Sequence, residues 1–124
     1  MPVYNAAPFI KESVQSILDQ TFTDFELLVI DDCSTDGSFE ILSEFKDNRI
    51  RVIRNDENKG LVYGLNLGLS LLNNLFIARM DGDDFAYSGR LEAQVKFMEE
   101  NPDVVACGTQ ARWRVLDKIG RAHV

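Results

Sequence analysis

Apolar residues along this chain switch between helical spacing and short continuous runs. In residues 8–20 they recur at i, i+4, i+7 and i+8, with a proline in the first turn, which predicts an amphipathic helix. These positions are Ile10, Val14, Ile17 and Leu18. Residues 27–30 and 75–80 are instead short, almost continuous apolar runs, which are typical of parallel strands buried on both faces.

The remaining elements follow from the same two patterns. They are a short helix at 39–45, a strand at 51–54, a helix at 61–72, a helix at 91–98 and a strand at 104–108. Residues 1–5 have the composition of a strand end, and we expect that strand to begin before Met1. Strands that alternate with helices imply right-handed crossovers. The sequence therefore predicts a truncated α/β fold, a mainly parallel sheet with helices on both faces.

Three glycines form a stripe along the helix at 61–72. Gly60, Gly64 and Gly68 are spaced four residues apart, so they lie on one helix face. Glycine inside a helix costs about 1 kcal/mol relative to alanine. The stripe therefore predicts that this helix approaches another backbone closely.

Both continuous apolar runs end at aspartates. The aspartates are Asp31 and Asp32 after the first run, and Asp81, Asp83 and Asp84 after the second. Ligands of parallel sheets bind beyond the carboxyl ends of the strands, and Mg²⁺ or Mn²⁺ prefers carboxylate oxygens while substrate phosphates fill its other positions. Gly82 lets the backbone turn so that the flanking carboxylates can face one point. The second cluster predicts a metal-phosphate site; the alternative is a turn with helix-capping aspartates.

Other polar residues near the strand ends leave two interpretations open. The Asp31-Asp32 pair could accept a hydrogen bond from a base imide or a ribose hydroxyl, or it could cap the following turn. The amides that start the helix at residue 61 could receive an anion with help from Lys59, or Lys59 could lie in a solvated turn. Arg90 and Gln94 are one turn apart, which by itself favours a surface pair.

Composition narrows the function classes. The 124 residues include 45% hydrophobic ones and carry a net charge of −7, which indicates one globular domain and disfavours binding to nucleic-acid phosphates. We find no signal segment and no run that could span a bilayer. Two cysteines without zinc or disulfide spacing favour a reducing, cytoplasmic setting. The motifs of P-loop, dinucleotide-binding and serine-hydrolase enzymes are absent from the sequence.

The last residues differ from the rest of the chain. Residues 118–124 show no periodicity and contain the only histidine, His123. Their back-translation can be written with codons that reproduce a common sequencing-adapter read. We therefore interpret residues 118–124 as a non-native tail and assign His123 no chemistry. The expected folded unit therefore covers residues 1–117.

Several short motifs follow one another in a specific order. They are Pro2-Val3-Tyr4-Asn5, residues 13–18 with Gln20-Thr21-Phe22, Phe25-Glu26-Leu27, Asp31-Asp32-x-Ser34-Thr35-Asp36, Asn58-x-Gly60, Asn66-x-Gly68, and Asp81-Gly82-Asp83-Asp84 with Arg90. This set resembles the family 2 inverting glycosyltransferases of the GT-A fold. The resemblance covers the chain from Pro2 to about Val115, and it implies that residues 1–117 are the nucleotide-sugar-binding part of a GT-A domain.

The resemblance implies metal-dependent transfer of a sugar from a nucleotide-diphosphate donor, usually a UDP-sugar, to a hydroxyl acceptor with inversion. It also implies that Asp32 binds the base, that Asp81 contacts the nucleotide, and that Asp83 together with Asp81 binds Mn²⁺ or Mg²⁺. The resemblance leaves the role of the neighbouring Asp84 open. The residues implied to line the nucleobase pocket are Pro2, Val3 and Tyr4, and Lys59 is our further candidate for donor binding.

The resemblance places other parts of the enzyme outside this chain. The general base that deprotonates the acceptor is expected beyond the last residue, so we predict negligible turnover by the 124-residue chain alone. A glycan or a lipid-linked sugar is the implied acceptor, in the cytoplasm or at the inner face of a membrane. The alternatives are a phosphoacceptor receiver-like domain that binds Mg²⁺, and a unit that binds nucleotide and metal without chemistry.

Overall fold

The computed structural model describes residues 1–112 and the backbone of residues 115–116 and 122–123. Its helices are α1 (Ala7–Leu18), α2 (Ser38–Ser43), α3 (Leu61–Leu71) and α4 (Arg90–Glu100). Its strands are β1 (Pro2–Val3), β2 (Leu27–Asp31), β3 (Ile50–Arg54), β4 (Val115–Leu116) and β5 (Ala122–His123). The first three strands form one sheet, while β4 and β5 pair antiparallel in a separate two-stranded sheet. The interpretation of 118–124 as a tail falls largely outside the described residues and stays a prediction.

The three-stranded sheet is parallel and has β2 in its centre. Pro2 pairs with Ile30 on one side of β2, and Leu27 pairs with Ile50 on the other side. Every residue of β2 is buried, as expected for a strand that is covered on both faces. The predicted α/β class with a mainly parallel sheet is confirmed.

The two faces of the sheet are covered by different helices. Val29 packs into a core with α1 and α2, where Val14 and Leu42 are fully buried. Successive residues of a strand point to opposite faces, and the neighbouring Ile30 accordingly lies against α3 near Gly64. The apolar spacing that predicted α1 is therefore the spacing of the core contacts.

The first turn of α1 is capped by the loop that follows β2. The Asn5 amide donates to Ser34 Oγ at 3.0 Å, and the Ala7 amide donates to Asp36 Oδ2 at 3.0 Å. Between them, the Ala6 amide donates to Ser38 Oγ at 2.9 Å. Amides at the start of a helix have no acceptor inside the helix. The N-cap residue of α1 offers no side-chain acceptor, and the loop after β2, together with the first residue of α2, supplies the acceptors instead.

Two predicted strands are absent from the described structure. Residues 75–80 and 104–108 form no strand pairs in the described part of the chain. Because β1 pairs only with Ile30 and Asp31, an apolar groove lies beside Leu27 and Leu28, where residues 75–78 form part of the opposite wall. Residues 75–78 thus line this groove without pairing to a strand, which an apolar run alone could not reveal.

The glycine stripe faces side chains and not another backbone. A Cβ added at Gly68 would lie 3.5 Å from Ile30 Cδ1, and one at Gly64 would lie 3.9 Å from Ile30 Cγ2. These are ordinary contact distances, so the predicted close approach of two backbones at this stripe is wrong. Gly60 differs from the other two because it precedes α3 with a φ of 87°, which favours glycine.

A Cβ at Gly68 would be at an ordinary contact distance from Ile30, and this leads to a stability prediction. We expect Gly68→Ala to raise the free energy of unfolding by about 0.5–1 kcal/mol, because alanine restricts the unfolded chain and fits beside Ile30. Urea unfolding of the variant and the parent chain measures this difference. Gly60→Ala is the matched control and should be destabilising, since a Cβ is strained at its positive φ. A loss of stability in Gly68→Ala would contradict the packing described here.

Neither cysteine is in a disulfide, and both are partly buried. No helix in the described part of the chain combines the length and the apolar character needed to cross a membrane.

Candidate functional site

A cleft of about 390 Å³ opens at the carboxyl ends of β1 and β2. Its walls come from the end of β1 and the turn after it, the end of β2, the start of α3, and the loop at residues 81–83. The lining residues include Pro2, Val3, Tyr4, Asp32, Asn58, Gly60, Asp81 and Asp83. The volume is within the usual range for sites that bind small molecules. Thus the cleft brings both predicted acidic clusters together.

The acidic loop, which we define as residues 81–89, places three carboxylates close to one another. One oxygen from each of Asp81, Asp83 and Asp84 lies within 4.8 Å of the other two. Asp83 and Asp84 are exposed, and Asp81 is half-buried beside Arg79, whose Nη2 is 3.4 Å from Asp81 Oδ1. Clustered carboxylate oxygens open to solvent fit a hard divalent cation that keeps some water ligands. The residues present therefore match the requirements of Mg²⁺ or Mn²⁺.

Gly82 holds the acidic loop against the sheet. A Cβ at this position would lie 2.9 Å from Val3 Cγ2 and 3.3 Å from Ile10 Cδ1. The first distance is too short for two carbon atoms in ordinary contact. The absence of a side chain thus lets the loop backbone lie directly on β1, so that the flanking carboxylates reach the cleft.

Asp32 directly follows β2, and it lies in the wall of the cleft. Its Oδ1 accepts hydrogen bonds from Asn55 Nδ2 and the Lys59 amide, and its Oδ2 accepts one from the Gly60 amide, all at 2.8 Å. Burial alone raises the pKa of Asp32, but these hydrogen bonds to the charged form outweigh burial and lower the pKa below 3.8. The site therefore contains a fixed, ionised acceptor at neutral pH.

Asp31 has a different environment from its neighbour. Its side chain is fully buried and accepts a hydrogen bond from Ser34 Oγ at 2.6 Å, and Arg54 Nε lies 3.5 Å from Oδ2. It is not among the residues that line the cleft. The sequence left the roles of the two aspartates open, whereas the structure gives Asp31 a structural role and leaves Asp32 facing the ligand space.

Lys59 reaches the site through its backbone. Its amide donates to Asp32, whereas its Nζ lies 3.5 Å from Asp56 Oδ1 and 4.8 Å from the centre of the Tyr63 ring. The ammonium group is therefore occupied by two surface partners. In this arrangement, Lys59 orients Asp32 and brings no free charge to the cleft.

Sequence reasoning did not identify Asn55 as part of the site. Asn55 is buried, its side chain donates to Asp32, and its amide donates to the Asp31 carbonyl at 2.8 Å. It directly follows β3, at the same edge of the sheet as the aspartates. A polar amide just beyond the end of a neighbouring parallel strand was the signal that could have revealed it.

Arg90 and Gln94 form a bridge and not the isolated surface pair that the sequence favoured. Arg90 Nη2 donates to the Arg79 carbonyl at 3.0 Å, and Arg90 Nε donates to Gln94 Oε1 at 3.0 Å. Gln94 Nε2 in turn donates to the Cys107 carbonyl at 3.3 Å. The pair thus ties α4 to the segment that leads into the acidic loop.

Comparison with known proteins gives one family. The family model described as "Glycosyl transferase family 2" matches residues 1–122. Escherichia coli WfgD, a UDP-Glc:alpha-D-GlcNAc-diphosphoundecaprenol beta-1,3-glucosyltransferase, is 41% identical over 82% of this chain and 40% of its own length. The chain spans less than half the length of the curated relatives it matches.

Solved structures show the same fold. Staphylococcus aureus TarS 1–349 in complex with UDP-GlcNAc superposes with a TM-score of 0.75 and 29% identity, over 82% of this chain and 30% of that one. The mannosyltransferase PcManGT of Pyrobaculum calidifontis, in complex with GDP-Man and Mn²⁺, gives a TM-score of 0.71 and 26% identity over 78% of this chain and 30% of that one. With its parallel sheet and its family match, this chain belongs to glycosyl transferase family 2, as an N-terminal part of the GT-A fold.

Proposed function

We propose that this chain is the donor-binding part of an enzyme that transfers a sugar from a UDP-sugar to a hydroxyl acceptor with inversion, in a reaction that needs Mn²⁺ or Mg²⁺. One observation carries the proposal. Asp32, which directly follows β2, and the Asp81-Asp83 pair of the acidic loop line a single cleft. A nucleotide diphosphate has the same two features, a hydrogen-bonding base and a charged diphosphate.

The base side of the cleft is suited to a nucleobase. Asp32 presents an ionised acceptor to a donor group such as an imide N–H. Pro2 and Val3 supply backbone and apolar surface, and the ring of Tyr4 is half-exposed at the rim, where it could stack on a base. Uracil is the base we propose, because WfgD is named for a UDP-sugar and TarS was solved with one.

The diphosphate side needs a cation. Phosphate oxygens placed beside Asp81 and Asp83 would be repelled by the carboxylates, so the two aspartates hold the divalent ion that the donor needs. When bound, that ion offsets the negative charge that develops on the leaving diphosphate. Asp81 is in addition placed to contact the nucleotide, since it lies on the cleft side of the loop and is half-buried.

The acceptor half of the reaction is proposed to lie in the rest of the longer protein. We assign no described carboxylate of the cleft the role of general base, because Asp32 is proposed to bind the nucleobase and Asp81 and Asp83 are proposed to hold the metal. By analogy with WfgD, whose name describes a diphosphoundecaprenol-linked sugar, we propose a glycan or lipid-linked acceptor at a cytoplasmic membrane face. The receiver-like alternative finds no support in the family match.

Calorimetric titration of nucleotides into the 124-residue chain tests the proposal. We expect UDP to bind in the presence of Mn²⁺, the binding to disappear when EDTA is added, and GDP under the same conditions to bind more weakly. The folded state of the chain should be verified by circular dichroism in each buffer. If the folded chain bound neither nucleotide with or without Mn²⁺, the proposed function would be wrong.

A further inference from the structure

Three polar side chains are buried on the face of α1 that meets the acidic loop. Ser13, Ser16 and Gln20 are only 1%, 4% and 3% exposed, and their spacing of three and four residues places them on one side of the helix and its extension. Burying a hydroxyl or an amide group is costly unless it is hydrogen-bonded. Their partners therefore show what these residues are for. We call this set the polar stripe.

The polar stripe bonds to the backbone of the acidic loop from its start to its end. Ser13 Oγ donates to the Asp81 carbonyl at 3.4 Å, and Ser16 Oγ accepts a hydrogen bond from the Ala86 amide at 3.0 Å. Gln20 Nε2 donates to the Tyr87 carbonyl at 2.7 Å and to the Ala86 carbonyl at 3.4 Å. Beyond the loop, Gln20 Oε1 accepts from the Leu91 amide of α4 at 3.0 Å.

The loop itself provides little internal support for its carboxylates. Residues 81–89 are neither helix nor strand, and the amide of Asp84, which donates to the Asp81 carbonyl at 3.2 Å, makes the loop's internal bond near the cluster. The side chains of Asp83 and Asp84 project into solvent. Their positions are therefore determined by the loop backbone. That backbone is held by the polar stripe, by the close packing at Gly82 and by the Thr21 amide, which donates to the Ser88 carbonyl at 2.9 Å.

We infer that Ser16 and Gln20 are positioning residues that hold the acidic loop in the arrangement that binds the divalent cation. The inference rests on the proposed metal site and adds residues of α1 and its extension that act through the backbone of the acidic loop. A loop backbone anchored at Ala86 and Tyr87 keeps the carboxylates of Asp81 and Asp83 at a fixed separation. Loss of an anchor lets the loop sample positions in which the carboxylates no longer converge.

Mn²⁺ affinity without nucleotide tests the inference. Ser16→Ala and Gln20→Met each remove hydrogen bonds to the loop, and we expect each to weaken Mn²⁺ binding by about 10-fold, as is typical for residues that orient metal ligands. Ser16→Thr keeps the hydroxyl and should restore most of the affinity. Binding can be followed by the electron paramagnetic resonance signal of free Mn²⁺, together with hydrogen exchange of the Ala86 and Leu91 amides.

A matched variant separates positioning from stability. Leu42→Val shortens a fully buried side chain of α2, so it should lower the melting temperature without loosening the loop or changing Mn²⁺ affinity. If Ser16→Ala and Gln20→Met bound Mn²⁺ as tightly as the parent chain, the positioning role would be wrong. If the parent chain itself bound no Mn²⁺, the proposed metal site would be refuted and the inference would fail with it.

Discussion

Asp83→Asn is expected to lower the Mn²⁺-dependent affinity for UDP by roughly 100-fold, the upper end of the effect of losing a group that orients a metal ligand. Asparagine has the same shape but carries no charge, so one of the two proposed ligands of the cation is lost. Asp83 is exposed and makes no hydrogen bond or ion pair with any other described residue. The fold should therefore be unchanged, and the loss should be confined to binding.

Calorimetry with and without Mn²⁺ measures this effect. The matched control is Asp103→Asn, because Asp103 is also exposed and lies beyond α4, away from the cleft. The control should bind UDP like the parent chain, and both variants should have the same melting temperature as the parent chain. Undiminished metal-dependent binding by Asp83→Asn would remove Asp83 from the metal site.

Asp32→Asn is expected to reduce both nucleotide binding and stability. Asparagine offers one acceptor oxygen where Asp32 uses two, and its amide group would face an N–H donor that has lost its partner. An unpaired buried group costs about 1–3 kcal/mol, and we expect a loss of that size in the free energy of unfolding. UDP affinity should fall by about 10-fold or more, which is the equivalent of about 1.4 kcal/mol.

The pH dependence of the free energy of unfolding distinguishes the loss of the Asp32 charge from a general loss of packing. The pKa of Asp32 is lowered in the folded state from 3.8, so its stabilising contribution is complete above that value and is lost as the pH falls through the folded-state pKa. The difference in the free energy of unfolding between the parent chain and Asp32→Asn should therefore stay constant as the pH falls from 7 to about 4, and should narrow below 3.8. Urea unfolding across this pH range measures it.

Asp56→Asn is the matched control for Asp32. Its side chain is 87% exposed and, among the residues that the structure describes, pairs with the Lys59 ammonium. Such surface pairs contribute at most about 1 kcal/mol. This variant should bind UDP normally and show little change in stability at any pH. Equal behaviour of the two variants would contradict the role given to Asp32.

Much of the fold could be predicted because burial leaves a periodic signal. The spacing of Ile10, Val14 and Ile17 identified α1, and the run at 27–30 identified the central strand. Residues 75–80 have a similar composition but form no ladder, and Leu75 is 89% exposed. An apolar run indicates only that a segment can be buried, since pairing depends on which other strand lies beside it.

The position of the candidate cleft could be predicted from the sequence, whereas the roles of its individual residues could not. Aspartates after strand ends indicated the cleft, yet the sequence could not separate Asp31 from Asp32, because their difference depends on the alternation of side chains about one strand. The polar stripe was missed for a related reason. Serine and glutamine on a helix usually indicate the solvent face, and only the loop packed over α1 makes Ser16 and Gln20 interior residues.

The capping of α1 by the loop after β2 also determines when this helix can be completed during synthesis. The acceptors for the amides of Asn5, Ala6 and Ala7 are 29 to 32 residues later in the chain. While the ribosome still covers residues 34–38, the first turn of α1 has only water to satisfy those amides. We therefore expect α1, β2 and the loop between β2 and α2 to become ordered together, as one cooperative unit of the nascent chain.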